Sequence, residues 1–325
     1  MNNRNRHSEA IIKKAQEIGF HAIATVGLNK IDDQFESFYY EWINRGYHGE
    51  MQYLEKNASQ RFNADAILEN AKTALIILAS YNHGQPQFPN KLKIARYALG
   101  LDYHFIIKNK LNELLTFIQT LVPQAKGRAL TDSAPVAERY LASKAGLGFI
   151  GKNGMLINKQ LGSFFFIGEL YIDIDLDIPA TTLNKPIQQN KETLSNPFPR
   201  FDACETCDKC IKACPNQAII EPGIVNSNQC IAYKTIEYKH EFDNNNRLAG
   251  YIFGCDICQN VCPFNSNIID GWSEFNYRKE IAELLHEDWL SMSQKTFKQH
   301  FFATPMYRTG LKQMKRNIRK VDSER

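Results

Sequence analysis

Cysteine is absent from a long first part of the sequence. Residues 1–178 contain none, and all eight cysteines lie within residues 204–262. The first twenty residues have no apolar core and no small-residue cleavage site, which argues against a secretory signal. A cytoplasmic protein is therefore expected, in which reduced cysteines ligate metals more often than they form disulfides.

Long apolar runs and a strong net charge are missing as well. The run at residues 74–79 is far too short to span a bilayer, so no membrane partner is expected. The formal net charge is only +4, which excludes binding of nucleic acid through the field of the whole molecule. A nucleic-acid partner would have to be met by a local patch of charge.

The apolar pattern of residues 1–180 predicts one domain with a central sheet. It indicates a helix over 8–19, a buried strand over 73–80 and an amphipathic helix over 104–121. Because predicted strands and helices alternate, we expect an α/β or α+β fold.

A proline-rich stretch separates this domain from the cysteines. Residues 179–200 hold four of the twelve prolines, and we interpret them as a linker or an ordered excursion between domains. The second predicted domain, residues 181–325, contains the whole cysteine set and ends in a basic tail.

The stretch GLGFIG at 146–151 matches a dinucleotide-binding motif only by its letters. That motif needs a strand before it and a helix after it. Here a helix-like segment precedes the glycines, and a turn and a strand follow them. We therefore reject a dinucleotide site and expect the glycines to let backbone approach a large planar cofactor closely.

The cysteines fall into two runs with one cysteine between them. The first run reads C-x2-C-x2-C-x3-C-P, which is the ligand run of bacterial ferredoxins, and the second reads C-x2-C-x3-C-P. In two-cluster ferredoxins the fourth cysteine of a run ligates the other cluster, so a crossed pairing of two 4Fe–4S clusters is predicted. Cluster 1 is predicted from Cys204, Cys207, Cys210 and Cys262, and cluster 2 from Cys214, Cys230, Cys255 and Cys258. Zinc sites or free thiols are the alternatives.

Four stretches together resemble the epoxyqueuosine reductase family. They are residues 96–104 (RYALGLDYH), 131–157 (TDSAPVAERYLASKAGLGFIGKNGMLI), 200–219 (RFDACETCDKCIKACPNQAI) and 250–265 (GYIFGCDICQNVCPFN). The resemblance covers most of the chain, from about residue 8 to about 320. It implies a cobalamin-binding reductase domain followed by a ferredoxin-like domain that holds two 4Fe–4S clusters.

The resemblance also implies an activity and its partners. The family reduces epoxyqueuosine, at the wobble position of certain tRNAs, to queuosine in the final step of its synthesis. The expected partners are tRNA carrying epoxyqueuosine and a low-potential electron donor of the flavodoxin or ferredoxin type, with the protein acting as a monomer. Many family members continue with a C-terminal helical-repeat module after the matching region, so some tRNA contacts are expected to be missing or replaced.

Asp132 is the catalytic residue that the resemblance implies. An acid with a raised pKa at this position would supply a proton as the epoxide oxygen leaves. An aspartate before Ser-Ala-Pro is otherwise typical of a turn or a helix cap.

The resemblance places further residues at the cobalamin. These are Arg61, Tyr97, Asp102, Tyr103, His104, Ser133, Lys152, Asn153, Gly154, Ile231 and Ala232. A structural role for His104 and a surface position for Arg61 are the alternatives. No D-x-H-x-x-G cobalamin signature occurs in the sequence, so a histidine on cobalt is not predicted.

Basic and aromatic residues near the C-terminus suggest contacts with tRNA. Lys234, Tyr238 and Lys239 combine positive charge with an aromatic ring, and Lys315 and Arg316 belong to the basic tail. Solvated surface is the alternative for all five.

Three other functions stay open at this point. A reductive dehalogenase-like enzyme would use the same cofactors on a small molecule, and a non-catalytic electron carrier would bind no corrinoid. A zinc-stabilised RNA-binding protein would show no iron–sulfur absorption.

Overall fold

The computed structural model describes residues 3–28, 32–84, 88, 91–183, 202–243, 246–266 and 271–324. The predicted linker lies largely outside these residues. In the first half the helices are α1 Asn3–Ile18, α2 Asp33–Asn44, α3 Gln52–Lys56, α4 Ala58–Arg61, α5 Tyr103–Leu121 and α6 Glu138–Lys144. The strands are β1 Ala22–Gly27, β2 Thr73–Ser80, β3 Lys93–Ile94, β4 Gly127–Leu130, β5 Phe149–Ile150, β6 Leu156–Ile157, β7 Phe165–Ile172 and β8 Thr181–Thr182.

A five-stranded sheet with the order β4-β7-β2-β1-β8 forms the centre of this half. Every pair in it is antiparallel, so the fold is α+β rather than a parallel α/β arrangement. Both faces are covered, which explains why β2 is buried at every position. One apolar layer packs α1 and α5 on the sheet, and the other packs α2 and α6 on its opposite face.

The second half is built from short elements. Its helices are α7 Lys209–Ala213, α8 Ile231–Ile236, α9 Ile257–Asn260, α10 Lys279–Ala282, α11 His286–Ser291, α12 Gln294–Phe301 and α13 Leu311–Ser323, and its strands are β9 Ile219–Glu221, β10 Ile224–Val225 and β11 Tyr251–Phe253. A third apolar core joins these helices to residues 92–99 of the first half, and β11 pairs in parallel with β3. The predicted domain boundary near residue 180 stays a prediction.

Most of the predicted elements are confirmed. The strand over 73–80 has those bounds, and the helix over 104–121 begins one residue earlier. The first helix ends before Gly19, whose φ of +98° suits glycine, but it begins at Asn3 instead of Ser8. Thr181–Thr182 joins the central sheet, so the predicted linker starts as an ordered excursion.

The GLGFIG stretch follows helix α6 and runs into the two-residue strand β5. The predicted context of the glycines is confirmed, because helix α6 precedes them and strand β6 follows them, in place of the strand-glycine-helix order of a dinucleotide-binding motif. Among the described residues, no helix combines the length and apolarity that crossing a bilayer requires.

Candidate active site

Asp132 lies in the loop between β4 and α6 in an unusual backbone conformation. Its φ is +51°, in the left-handed region that side-chain-bearing residues seldom adopt. The backbone N–H of Asp132 donates to the Glu138 carboxyl group, which stands at the start of α6. The turn therefore projects the Asp132 side chain out of the sheet edge toward the start of α5.

The Asp132 carboxylate meets two neighbouring side chains of α5. The Tyr103 hydroxyl donates to Asp132 Oδ2 over 2.6 Å, and His104 Nε2 lies 3.3 Å from the same oxygen. On its other side, His104 Nδ1 is 2.6 Å from Asp102 Oδ1. The imidazole thus stands between two carboxylates, and Tyr103 stacks on it with ring centroids 4.1 Å apart.

The ionisation of this group differs from the prediction. Burial pushes the pKa of Asp132 upward, but hydrogen bonds from His104 and Tyr103 and the charge of His104 outweigh it and hold the pKa below its ordinary value. Burial would lower the pKa of His104, yet the hydrogen bonds and charges of Asp102 and Asp132 raise it to about 9. The pKa of Asp132 thus shifts in the direction opposite to the expected one, because His104 and Tyr103 stabilise its ionised form.

The surroundings of Asp132 form a concave wall. Its side chain keeps 52% of its surface accessible and Arg139 is also exposed, yet burial is the largest single influence on the pKa of each group, although hydrogen bonds and charges together outweigh it for Asp132. The side chains of Asp132 and Arg139 are accessible to solvent but surrounded by protein atoms, so they line a recess. Arg139 Nη1 donates to the carbonyl of Gly154, whose φ is +74°, so the glycine-rich loop borders the same recess.

Buried polar atoms without partners mark where a cofactor rich in amide groups would fit. One guanidinium N–H group of Arg61 donates to the Val136 carbonyl, and the guanidinium carbon lies 5.3 Å from the centroid of the Tyr39 ring. The Nε atom of Arg61 is buried and has no hydrogen-bond partner. The Asn153 side-chain nitrogen is buried and unpaired as well. Such donors are costly unless a ligand satisfies them, so both residues fit the corrin side chains that the sequence led us to expect.

Other predicted cofactor residues take different roles. Lys152 donates to the carbonyl oxygens of Glu205 at 2.7 Å and Cys207 at 2.9 Å, so it braces the first cysteine run rather than the recess. The Ile231 side chain is 3% exposed and packs within the third apolar core. Ala232 beside it is half-buried.

Tyr97, Asp102 and Ser133 contact the Tyr103–His104–Asp132 group or lie next to it in the chain. Tyr97 packs edge-on against Tyr103 at 6.3 Å. Asp102 caps α5 by accepting from the His104 backbone N–H, and Ser133 accepts from Lys108 over 2.7 Å. These contacts position the α5 side chains and the Asp132 loop.

The eight cysteines are free thiols, each half-buried. Burial raises the pKa of Cys262, and the charges of Cys204 and Cys207 raise it further, so the second run reaches the first. Burial likewise raises the pKa of Cys258 to about 12, with Cys230 as its strongest charged neighbour, followed by Cys210 and Cys214. These neighbours support the crossed pairing, which remains a prediction.

The predicted tRNA residues are mostly engaged in packing. Arg316 is 7% exposed and donates to the backbone carbonyls of Lys234, Tyr238 and His240. Lys234 is also buried, with its ammonium 4.0 Å from the Tyr238 ring centroid. Arg316 and Lys234 are therefore corrected from surface phosphate contacts to packing residues, because backbone carbonyls occupy the donors of Arg316 and Lys234 is buried against the Tyr238 ring.

Lys239 and Lys315 keep some accessibility. Lys239 is exposed and donates to Gln313 over 2.8 Å, and half-buried Lys315 donates to the Met292 carbonyl over 2.9 Å. Their contact with tRNA stays a prediction.

The Arg316→Ala variant is expected to destabilise the protein by about 3 kcal/mol, because several buried carbonyls lose their donor. A thermal unfolding series measures this, with exposed Lys312→Ala on the same helix as the control. If Arg316→Ala unfolds at the normal midpoint but binds RNA more weakly, Arg316 contacts tRNA as the sequence predicted.

Comparison with known proteins identifies both halves. The family model "4Fe-4S double cluster binding domain" matches residues 203–265, and "Epoxyqueuosine reductase QueG, DUF1730" matches residues 61–133. The epoxyqueuosine reductase of Cyclobacterium marinum is 36% identical over 98% of both chains. The chain belongs to the epoxyqueuosine reductase family.

Other members of the epoxyqueuosine reductase family show the same extent of similarity. The epoxyqueuosine reductase of Cellulophaga algicola is 35% identical over 98% of this chain and 99% of its own. The structure of the Streptococcus thermophilus enzyme superposes with a TM-score of 0.81 at 29% identity, over 96% of this chain and 80% of that one. A crystal structure of epoxyqueuosine reductase with an epoxyqueuosine-modified tRNA stem loop shares the fold, with a TM-score of 0.84 at 24% identity over 98% of this chain and 81% of that one.

The sequence did not indicate three charged residues that lie near the Asp132 loop. Glu138 and Arg139 lie beneath and beside the Asp132 loop, and Glu169 lies fully buried on β7. Glu169 had a signal, since it is the one charged residue in the otherwise apolar strand FFIGELYI. Glu138 and Arg139 had none, because a charged pair at the start of a helix is ordinary.

Proposed function

We propose that this chain reduces epoxyqueuosine in tRNA to queuosine. The observation that carries the proposal is the Tyr103–His104–Asp132 group, set in a recess beside the double-cluster domain of an epoxyqueuosine reductase family member. The reaction takes up two electrons and two protons: both carbon–oxygen bonds of the epoxide break, an alkene forms, and the oxygen leaves as water.

The cofactors have separate binding residues. The eight cysteines would hold two 4Fe–4S clusters, and Arg61, Asn153 and the Gly154 loop would hold cobalamin. When bound, these groups supply the low-potential electrons that the substrate consumes.

The protein side chains would supply one of the two protons. Protonated His104 lies 3.3 Å from ionised Asp132, so the pair holds one mobile proton at the recess. The Asp132 carboxyl group, whose side chain is 52% accessible, would take that proton from His104 and pass it to the oxygen as it leaves carbon, and water would supply the second proton. Tyr103 fixes this carboxylate through its 2.6 Å hydrogen bond.

Turnover is expected to fall as the pH rises through about 9. The pKa of His104 is raised to about 9, so its proton is present below that pH and is lost above it. Single-turnover rates of pre-reduced enzyme between pH 7.5 and about 10.5 measure this limb. His104→Gln should abolish this fall in turnover near pH 9. If the fall is unchanged in that variant, another group is responsible for it.

The remaining partners follow from the chemistry. A reduced flavodoxin or ferredoxin would deliver electrons to the cluster nearer the surface, and the chain would act as a cytoplasmic monomer. Analytical ultracentrifugation of the loaded protein tests the monomeric state.

Complementation tests the function in a cell. A bacterium that lacks its own epoxyqueuosine reductase accumulates epoxyqueuosine in its tRNA, and expression of this chain should restore queuosine. Persistence of epoxyqueuosine, with the chain expressed and its clusters present, would contradict the proposal. A dehalogenase-like enzyme or an electron carrier would also leave the tRNA unchanged.

A further inference from the structure

Glu169 is a buried acid directly beneath the catalytic loop. It lies on β7, opposite Leu130, which is two residues before Asp132. Its exposure is 0%, and neither carboxyl oxygen has a hydrogen-bond partner. A carboxylate in this position would be an unpaired buried charge, so Glu169 is held as the neutral acid.

Glu138 is a second acid in this region, and it contacts the Asp132 loop directly. As the first residue of α6 it is fixed by the helix, and its Oε1 accepts the backbone N–H of Asp132. Asp132 has φ +51°, a conformation that persists only where the surroundings enforce it. The hydrogen bond to Glu138 holds this turn together with the backbone hydrogen bond from Ser133 to Thr131.

Charged groups face Glu138 from four elements. They are Asp132 on the loop, Arg61 on α4, Arg139 on α6 and Glu169 on β7. Burial and the charge of Asp132 together raise the pKa of Glu138 to about 7, against the opposing effects of the Asp132 backbone N–H, Arg139 and Arg61. Burial raises the pKa of Glu169 well above its usual range, and the charge of Glu138 adds to that.

We propose that Glu138 is a positioning residue for Asp132: its carboxyl group holds the Asp132 N–H and so fixes the turn that presents the Asp132 side chain to His104. Because Glu169 is neutral, it places no negative charge next to Glu138. An ionised Glu169 would repel the charge on Glu138 and displace its ionisation to a higher pH.

The arrangement makes the placement of the loop depend on pH. An ionised carboxylate accepts a backbone N–H more strongly than a neutral acid does. As the pH rises through about 7, Glu138 ionises and secures the turn, so turnover increases. Together with loss of the His104 proton near pH 9, this gives a bell-shaped profile.

The test compares pH profiles of Glu138→Gln and Glu169→Gln in the full chain loaded with clusters and cobalamin. A glutamine at 138 still offers a carbonyl oxygen to the Asp132 N–H but cannot ionise. We expect the rise near pH 7 to disappear, with turnover at pH 8 reduced about tenfold and the fall near pH 9 retained. Exposed Glu69→Gln is the matched control and should behave as the unmodified chain does.

Glu169→Gln separates the two acids. Because Glu169 is already neutral, the amide should leave the rise near pH 7 in place. If the rise disappears in Glu169→Gln and survives in Glu138→Gln, the assignment is overturned.

A second measurement is independent of turnover and therefore of the proposed function on which the activity readout rests. In protein labelled with ¹⁵N-aspartate, the backbone amide of Asp132 is identified by its loss in Asp132→Asn. Its resonance should titrate near pH 7 in the unmodified chain and stay constant in Glu138→Gln. A titration that persists in Glu138→Gln overturns the proposal, whereas an inactive chain with the expected titration would refute only the proposed function.

Discussion

The Asp132→Asn variant is expected to convert epoxyqueuosine about 100 to 10,000 times more slowly than the unmodified chain, the range that general acid catalysis contributes. Asparagine keeps the size of the side chain and can still accept from Tyr103, but it cannot take up and pass on a proton. His104 would also lose one of the two carboxylates that raise its pKa, so less of it would be protonated at neutral pH. Both effects reduce proton delivery to the leaving oxygen.

Matched variants distinguish this role from a loss of structure. Asp65→Asn changes an exposed aspartate outside the Tyr103–His104–Asp132 group and should leave turnover unchanged. Tyr103→Phe removes one hydrogen bond to Asp132 and should have a smaller effect than Asp132→Asn. Near-normal turnover in Asp132→Asn, with iron and corrinoid contents unchanged, would exclude Asp132 as the proton donor.

The Cys262→Ala variant is expected to lose cluster 1, although Cys262 lies in the second cysteine run. Its thiol has Cys204 and Cys207 as neighbours, both from the first run. Iron content should fall from about eight to about four atoms per chain, and turnover should be abolished because electrons no longer cross two clusters. Anaerobic iron and sulfide analysis, with electron paramagnetic resonance of the reduced protein, measures the loss.

The partner variants make the pairing testable. Cys210→Ala should remove the same resonance signal as Cys262→Ala, whereas Cys214→Ala should remove the other signal together with Cys230→Ala. If the signal lost in Cys262→Ala is the one lost in Cys255→Ala, each run holds its own cluster and the crossed pairing is wrong. Full retention of iron in Cys262→Ala would equally contradict it.

The sequence predicted those parts of the fold that depend on local pattern. β2 is apolar at nearly every position because both faces of its sheet are covered, and α5 repeats its apolar residues at helical spacing. Antiparallel pairing was not visible in that pattern, since it depends on which distant strands meet. The pairing of β11 with β3 was hidden for the same reason, because the two strands are more than 150 residues apart.

The candidate site was predictable in its residues but less so in their chemistry. The sequence motif brought Tyr103, His104 and Asp132 to attention, and the structure places them in contact. Their protonation was misjudged because the pKa of Asp132 depends on His104, which is remote in sequence. Arg316 was misplaced because a long basic side chain has the same sequence pattern whether it lies on a surface or against buried carbonyls.

The central claim is that this chain removes the epoxide oxygen of epoxyqueuosine with a proton that His104 holds and Asp132 delivers. Its most direct test is nucleoside mass spectrometry of tRNA after incubation with the reconstituted, reduced chain. We predict that the epoxyqueuosine signal is replaced by one lighter by a single oxygen atom, and that Asp132→Asn leaves the substrate signal largely intact. An unchanged nucleoside with the unmodified chain, in the presence of both clusters and reduced cobalamin, would contradict the account.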